Sequence, residues 1–201
     1  GIALIATSVV VQAEVSGEIG AKSSHVRRGS ELGNEATYFG AMRFDLAGLS
    51  FGATVVDTSN DGDHDYVCCN QVAFGNLTET TYDVGYAISV GNLDLNVGYL
   101  QRENNWEDTV GELDTAELSV GIDLGGIDFT YVDGEVKGAT APAFGEPSYT
   151  DRSLGYTVGN TRFLLGETRV TAVYAPPVGW TYYEITAGTE AFGLDLTATL
   201  T

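Results

Sequence analysis

The acidic segment DTSNDGDHDYVCC carries the side chains best suited to bind a cation. Carboxylates at alternating positions around a glycine resemble the front half of a calcium-binding loop, whose oxygens ligate the ion. The carboxylates are Asp57, Asp61, Asp63 and Asp65. The twelfth position, where a calcium loop has a bidentate glutamate, is Cys68, and the flanking helices are absent from the pattern. The segment therefore predicts a hydrated acidic loop, with calcium binding as the alternative.

Residues suited to catalysis are sparse. The chain has two histidines, His25 and His64, and only His25 directly follows serines. Neighbouring residues on a strand point to opposite faces, so this serine and histidine would not form a nucleophile–base pair. The adjacent Cys68 and Cys69 can bond each other only through a strained ring, and zinc-ligand spacing is missing. We therefore predict that the chain is not an enzyme and uses no cofactor.

The charge balance excludes one class of partner. Lys and Arg number 9 against 28 Asp and Glu, which gives a formal net charge of −19. Nucleic-acid binding depends on basic contacts to phosphate, so we predict no nucleic-acid partner. No window holds the roughly 18 apolar residues that a membrane-spanning helix needs, which excludes a helical membrane protein.

Residues 1–13 differ from the rest of the chain in composition. GIALIATSVVVQA is apolar through Val11 and then shows a small residue that suits a cleavage site. We interpret residues 1–13 as the remnant of a secretory signal peptide and residues 14–201 as an exported domain. The alternative is a buried N-terminal strand or helix.

Alternation with a period of two dominates the exported domain. In YDVGYAISVGNLDLNVGYL the apolar positions from Tyr82 to Val90 are even-numbered, and after the Gly-Asn pair those from Leu93 to Tyr99 are odd-numbered. This period is typical of strands with two unlike faces, and Gly-Asn suits a tight turn. The segment therefore predicts a β-hairpin with one apolar and one polar face.

The hairpin pattern repeats along the chain. Tight turns recur at Gly48, Asn92, Gly126, Asn160 and Gly193, with long polar connections between them. Short and long connections thus alternate, as in outer-membrane barrels, whose periplasmic turns are short and extracellular loops long. We predict an all-β, antiparallel up-and-down transmembrane β-barrel with eleven visible strands and twelve in the intact protein, because such barrels close with an even number. The alternation blurs over residues 152–174, where we expect a bulge or register change.

A secreted soluble β-sandwich would show the same alternation with its apolar face turned inward. Long strands, alternating connection lengths and an acidic polar face almost without lysine favour lipid instead. Aromatic residues also fall where the membrane interfaces would lie. The tyrosines toward the long connections are Tyr38, Tyr82, Tyr99, Tyr131, Tyr174 and Tyr183.

The polar face supplies the candidate site residues. We expect it to line a water-filled lumen with Arg43, Asp83, Asp94, Glu117, Asp123, Asp128, Arg169 and Asp195. Arg43, Arg162 and Arg169 are expected to cross the lumen to the acidic wall and narrow it. A narrow, negatively lined passage favours cations and small neutral solutes over anions. The alternative is that these carboxylates are merely solvated or paired with arginines.

The repeated cassette Y-x-V-G-Y…G-x-L-x-L-x-V-G-Y, with acidic loops after VVDTSND and TYVDGE, resembles the TorF-type porins of proteobacteria over most of residues 14–201. The resemblance implies a β-barrel porin of the outer membrane, with no catalytic residues assigned. The predicted function is passive diffusion of small hydrophilic solutes or ions across the outer-membrane bilayer, and oligomer formation stays open. Two alternatives remain: a non-conducting structural or interaction barrel whose acidic loops bind a partner or calcium, and the soluble sandwich.

Overall fold

The structure, a computed structural model, describes residues 13–23, 25–28, 30–33, 36–58, 66–68, 71–108, 114–137, 147–172, 175–191 and 194–200. The strands in these ranges are β1 Ala13–Lys22, β2 His25–Arg27, β3 Ser30–Gly33, β4 Thr37–Leu46, β5 Leu49–Thr58, β6 Tyr66–Cys68, β7 Gln71–Val90, β8 Leu93–Asp108, β9 Asp114–Leu124, β10 Ile127–Lys137, β11 Ser148–Val158, β12 Thr161–Ala172, β13 Ala175–Ala191 and β14 Leu194–Leu200. Within these ranges, no helix has the length and apolar character needed to cross a membrane.

In the described residues, eleven strands form one antiparallel path in the order β1-β4-β5-β7-β8-β9-β10-β11-β12-β13-β14, and β6 pairs with β7 beside it. Each strand of the path lies next to the strand that follows it, so the topology is up-and-down. The predicted all-β, up-and-down architecture is therefore confirmed. β1 and β14 are the two ends of this order, and a twelfth strand in the path stays a prediction. Residues 1–12 lie outside the described part, so the signal peptide also stays a prediction.

Two-residue turns join the strands at one end of the sheet, which we call the short-turn end. We call the opposite end the long-connection end. At Ala47–Gly48 and Gly125–Gly126 both turn residues have positive φ, between 51° and 96°. This geometry belongs to the type I′ turn, whose twist matches that of the flanking strands, and glycine adopts it without steric cost. The predicted turn at Gly193 lies outside the described residues.

The two faces of the sheet differ as the alternation predicts. One face exposes large apolar side chains, such as Val15 at 69%, Val97 at 50% and Leu154 at 52%. The opposite face carries most of the buried positions, and many of these are polar, including Thr37 and Glu79. A soluble sandwich buries its apolar face between two sheets, so the exposure of this face argues against that alternative.

The polar face is concave and surrounds the β2–β3 hairpin. In a flat sheet, the six strand spacings from β7 to β13 would separate these strands by about 29 Å. Two adjacent hairpin residues nevertheless contact both strands. Arg27 Nη1 lies 2.6 Å from Glu79 Oε2 on β7, and Trp180 Nε1 on β13 donates to the Arg28 carbonyl oxygen at 2.8 Å. The sheet therefore curls around the hairpin as a barrel wall does.

The expected irregularity within residues 152–174 is confirmed near the end of β12. The pairing of β11 with β12 is regular from Ser148 to Val158. The pairing of β12 with β13 shifts register between Val170 and Ala172. Residues of β12 before Val170 therefore keep a constant alternation between the two faces.

Candidate functional site

The β2–β3 hairpin brings two arginines to the concave face. In the described part of the chain, β2 and β3 form a two-stranded sheet of their own, with Arg27 opposite Ser30. Arg28 follows β2 with a positive φ of 49°, which turns the chain. Leu32 on β3 is only 3% exposed. The hairpin is thus anchored by side chains rather than by hydrogen-bonded pairing with the barrel wall.

Glu117 on β9 accepts hydrogen bonds from three side chains. Arg28 donates to both carboxylate oxygens, with Nη1 3.2 Å from Oε1 and Nη2 2.8 Å from Oε2. Arg102 Nη1 at 2.9 Å and the Tyr149 hydroxyl at 2.5 Å also donate to Oε1. A two-pronged guanidinium–carboxylate contact is the strong form of this ion pair. Since Glu117 is buried, these donors replace the water that a carboxylate otherwise needs.

Glu79 on β7 pairs with the other arginine of the hairpin. Arg27 Nη1 lies 2.6 Å from Glu79 Oε2. From the wall, Arg102 Nε on β8 lies 3.2 Å from Glu79 Oε1, which is close enough for an ion pair but not aligned for a hydrogen bond. Arg102 therefore bridges Glu79 and Glu117, while the hairpin supplies one arginine to each of them.

Asp151 on β11 is the third buried carboxylate. Thr168 Oγ1 donates to it at 2.6 Å, and the Tyr182 hydroxyl lies 3.1 Å from each of its oxygens. Arg28 Nε lies 3.7 Å from Asp151 Oδ2. The guanidinium of Arg28 also lies over the Tyr149 ring, 5.3 Å from its centroid, where a cation is attracted to the aromatic face. Arg28 thus links the carboxylates of β9 and β11, which lie two strands apart in the wall.

These contacts define an arginine–carboxylate network, which consists of Arg27, Arg28, Arg102, Glu79, Glu117 and Asp151. Its three positive and three negative formal charges cancel. Burial alone acts to lower the pKa of Arg28, but the hydrogen bond to Glu117 and the negative charges around it outweigh burial and raise that pKa. Arg28 therefore stays charged, and the network lies in the long-connection half of the lumen without adding net charge there.

Glycines in the wall make room for the two tyrosines of this region. Gly134 on β10 lies opposite Tyr149, and Gly166 on β12 lies opposite Tyr182. A Cβ atom at either glycine would collide with the facing tyrosine ring. The missing side chains therefore let each ring lie against the wall and direct its hydroxyl at a carboxylate of the network.

Toward the short-turn end, the concave face opens into a cavity of about 660 Å³. The charged residues that line it are Glu14, Arg43, Asp45 and Asp83. Arg43 Nε lies 3.1 Å from Asp45 Oδ1, and both side chains are about half exposed. Three carboxylates against one arginine make the cavity acidic, and its accessible lining suits water and small polar solutes.

Three sequence-predicted lumen residues lie at these two places. Arg43 and Asp83 line the cavity, and Glu117 belongs to the network. Arg43 does not cross the lumen as expected, because it pairs with Asp45, which lies two residues away on the same face of β4. The lumen is instead crossed by the arginines of the hairpin.

Three further predicted carboxylates lie on the concave face near the short turns. Asp94 is exposed and stands beside the turn that joins β7 to β8. Asp123 Oδ1 accepts a hydrogen bond from the Gly126 amide at 3.2 Å. Asp128 receives Arg162 Nη2 at 2.6 Å, so Arg162 also pairs along the wall rather than across the lumen.

Arg169 differs from the prediction because it lies on the convex face. Its Nη2 atom is 2.7 Å from Glu167 Oε1, and its side chain is 62% exposed. Phe163 and Leu165 share this face, and the register shift comes only after Val170, too late to turn Arg169 inward. Arg169 therefore does not line the lumen.

Two other predicted sets fall partly outside the described side chains. Asp195 lies on β14 opposite Glu190, and its side chain is outside the described part. Asp57 is exposed on β5, while Asp61, Asp63 and Asp65 lie outside the described residues, so calcium binding stays a prediction. Across the described ranges, no group of three or more His, Cys, Asp or Glu side chains could hold a metal ion.

The sequence interpretation did not single out several members of the network region. These are Glu79, Arg102, Tyr149, Asp151 and Tyr182. The alternation along the strands could have indicated which face they occupy. Glu79, for example, is on the same face of β7 as Asp83, which the alternation places on the polar side. The contacts of the network join residues as far apart in sequence as Arg28 and Asp151, and no local pattern indicates such pairs.

No family model and no curated protein matches the chain. A solved structure, a loop L8 deletion mutant of OmpT, an outer membrane protein of Vibrio cholerae, matches with 11% sequence identity and a TM-score of 0.44. The match covers 85% of this chain but 61% of that one, so the chain spans only part of the matched protein. This likeness is too distant to support a conclusion about the chain. The fold is defined by the strand order, register and faces described above.

Proposed function

We propose that the chain is a porin-type β-barrel of the bacterial outer membrane, through which small hydrophilic solutes diffuse passively with a preference for cations. The observation that carries the proposal is the reversed polarity of the sheet, with large apolar side chains exposed outside and polar side chains within. In water such an outer face would aggregate, whereas lipid solvates it. Membership of the TorF-type porins, suggested by the hairpin cassette, is part of this proposal.

The outer face has an apolar belt of suitable height. On β7, exposed apolar side chains run from Val90 to Tyr82, and Thr80 and Thr78 follow on the same face. Eight residue steps of about 3.4 Å, tilted by roughly 40°, span about 21 Å, close to the ~25 Å belt of outer-membrane barrels. The belt ends at polar residues on the long-connection side, as a bilayer boundary requires.

Tyrosines mark this edge of the belt. Tyr38, Tyr82, Tyr99 and Tyr183 are each about half exposed on the outer face and lie toward the long connections. Phe44 and Phe51 lie on the same face near a short turn, with their ring centroids 6.4 Å apart. The amphipathic tyrosine ring is favoured at the headgroup level, and outer-membrane barrels carry aromatic girdles at both interfaces, so both edges support a membrane position.

The acidic cavity supports the ion preference. Glu14, Asp45 and Asp83 face a space of about 660 Å³, and in the described part of the chain Arg43 is the one basic residue that lines it. Carboxylates around a water-filled passage raise the local concentration of cations and repel anions. The same space is large enough for small neutral solutes.

A second candidate function is a non-conducting structural or interaction barrel. The observation in its favour is the arginine–carboxylate network, because a charge-neutral, buried set of ion pairs crosses the lumen at the long-connection half. In that case the barrel anchors the connections at the surface of the membrane, and these connections carry the function.

Conductance separates the two functions. The protein refolded in detergent is added to a planar bilayer under a KCl gradient, and single-channel currents are recorded. We expect stepwise currents with a reversal potential of the sign that cation preference gives. A protein that inserts, as shown by protease protection in vesicles, but carries no current would contradict the porin function and favour the second candidate.

A further inference from the structure

We infer that the β2–β3 hairpin forms the narrowest point of the passage and that Arg27 and Arg28 set its ion preference. This inference rests on the proposed porin function and adds a selectivity-determining element to it. Its basis is the position of the two arginines, which reach carboxylates on three separate wall strands. Arg27 contacts Glu79 on β7, while Arg28 contacts Glu117 on β9 and Asp151 on β11.

The contacts of the hairpin are spread around most of the wall. The strands β7, β9, β11 and β13 are the fourth, sixth, eighth and tenth of the eleven in the sheet path. Arg27 and Arg28 contact the first three, and the carbonyl oxygen of Arg28 accepts the indole N–H of Trp180 on the fourth. A segment that contacts alternate strands from β7 to β13 must lie across the lumen, so a solute has to pass beside it.

The net charge of the network depends on Arg27 and Arg28. With both present, the network is neutral, because Arg27, Arg28 and Arg102 balance its three carboxylates. Without them, Arg102 alone faces Glu79, Glu117 and Asp151, and the passage carries two uncompensated negative charges. These carboxylates are at most 5% exposed, and an unpaired charge acts most strongly on a passing ion where little water screens it. The arginines of the hairpin therefore weaken the preference for cations that the acidic cavity creates.

In the described residues, the hairpin shares no backbone ladder with the wall. In these residues its two strands pair with each other, and the polar contacts to the wall described above are made by Arg27 and Arg28. The wall strands keep their backbone ladders without it, from β7·β8 to β12·β13. Loss of its two arginines should thus change the passage while the barrel persists.

The test compares the wild type with an Arg27→Ala/Arg28→Ala variant in single-channel recordings under a KCl gradient. We expect the variant to raise the single-channel conductance about twofold or more and to increase the cation-to-anion permeability ratio severalfold. Arg162→Ala is the matched control, because Arg162 is also an inward arginine paired with a carboxylate, Asp128, but lies near the short turns and is 40% exposed. We expect the control to change both quantities much less, since water screens its site.

A second variant tests whether the charge of the arginines or the space that they occupy sets the permeability ratio. It also lowers the risk that the variant misfolds. Arg28→Gln combined with Glu117→Gln removes one charge of each sign and keeps polar side chains of similar length. It should leave the permeability ratio near that of the wild type, and far-ultraviolet circular dichroism verifies the strand content of every variant.

The outcomes separate the two claims. If the wild type conducts and Arg27→Ala/Arg28→Ala matches it, or shifts no more than Arg162→Ala, the inference about the hairpin is overturned and the porin function stands. If the wild type inserts but is silent and the double variant conducts, the hairpin plugs the lumen, and both the porin function and the role of the arginines in ion preference are overturned. If neither conducts although both insert, the porin function and the inference both fail.

Discussion

The two halves of the lumen place the same residue types in opposite environments. At the long-connection half, Glu117 and Asp151 are buried and surrounded by arginines and tyrosines. At the short-turn half, Asp45 and Asp83 face a cavity of about 660 Å³. The comparison shows that alternation along a strand decides which face a carboxylate occupies, whereas long-range partners decide whether it is neutralised there. The first half is therefore expected to confer stability and to limit passage, and the second to attract cations.

The largest effect is expected at the centre of the network. Glu117→Ala leaves the guanidiniums of Arg28 and Arg102 without a shared acceptor in a buried site. Removal of one partner from a buried ion pair costs about 3–5 kcal/mol, and we expect a loss of that order in the free energy of unfolding. Urea titration of the protein refolded into lipid vesicles measures it. Asp94→Ala is the control, because Asp94 is exposed near a short turn and its loss should stay within about 0.5 kcal/mol. Similar losses in the two variants would contradict the contrast between the halves.

A medium effect is expected where a glycine makes room for the network. Gly134→Ala places a Cβ atom against the Tyr149 ring, which must move away from Glu117. Overpacking of this kind costs about 1–3 kcal/mol of unfolding free energy, measured by the same titration. In the control Gly17→Ala, the added Cβ meets only the Ala41 carbonyl oxygen at an ordinary 3.6 Å. A control as destabilised as Gly134→Ala would show that the space over Gly134 has no special role.

The smallest effect on stability is expected in the cavity. Asp45→Asn breaks the Arg43–Asp45 pair, whose side chains are 53% and 42% exposed, and such solvated pairs contribute below about 1 kcal/mol. The same change removes one carboxylate from the cavity, so the reversal potential under a KCl gradient should shift toward weaker cation preference. Asp57→Asn, on the exposed outer face of β5, should leave the reversal potential unchanged. A loss of stability equal to that of Glu117→Ala would remove the difference between the halves.

Most of the wall could be predicted from the sequence, because its strands repeat one local pattern. In β8, the apolar residues Leu95, Val97 and Tyr99 alternate with polar or small ones, and the register puts every one of them on the outer face. The turn at Gly125–Gly126 is equally local, since positive φ favours glycine. The sequence predicts the wrong face for Arg169. The blurred alternation of β12 indicates an irregularity but not its position, and the register shift comes only after Val170.

The hairpin and the network could not be predicted in the same way. The β2–β3 segment is short and polar, with no run of alternating residues, and therefore has the pattern of an ordinary connection. Its position depends on pairs such as Arg28–Glu117, which lie 89 residues apart and which only a curled sheet brings together. The sequence does identify Glu117 as a lumen residue, but the buried ion pairs that surround it are a tertiary property.

The central claim is that the outer face contacts lipid and the inner face contacts water. Two adjacent residues of β8, which point to opposite faces, allow a direct test. Single cysteines are introduced as Asn96→Cys and Val97→Cys in a Cys68→Ser/Cys69→Ser background, and the refolded protein is inserted into vesicles. Asn96 lies on the concave face, where its amide lies against Gly121, whereas the Val97 side chain is 50% exposed in the apolar belt of the outer face.

The measurement is the rate of labelling by a charged, water-soluble thiol reagent, together with the quenching of a fluorophore at each cysteine by brominated lipid. The account predicts fast labelling and weak quenching at position 96, with slow labelling and strong quenching at position 97. The reverse pattern, or equal values at the two positions, would contradict a barrel with a lipid-facing exterior and a wet lumen.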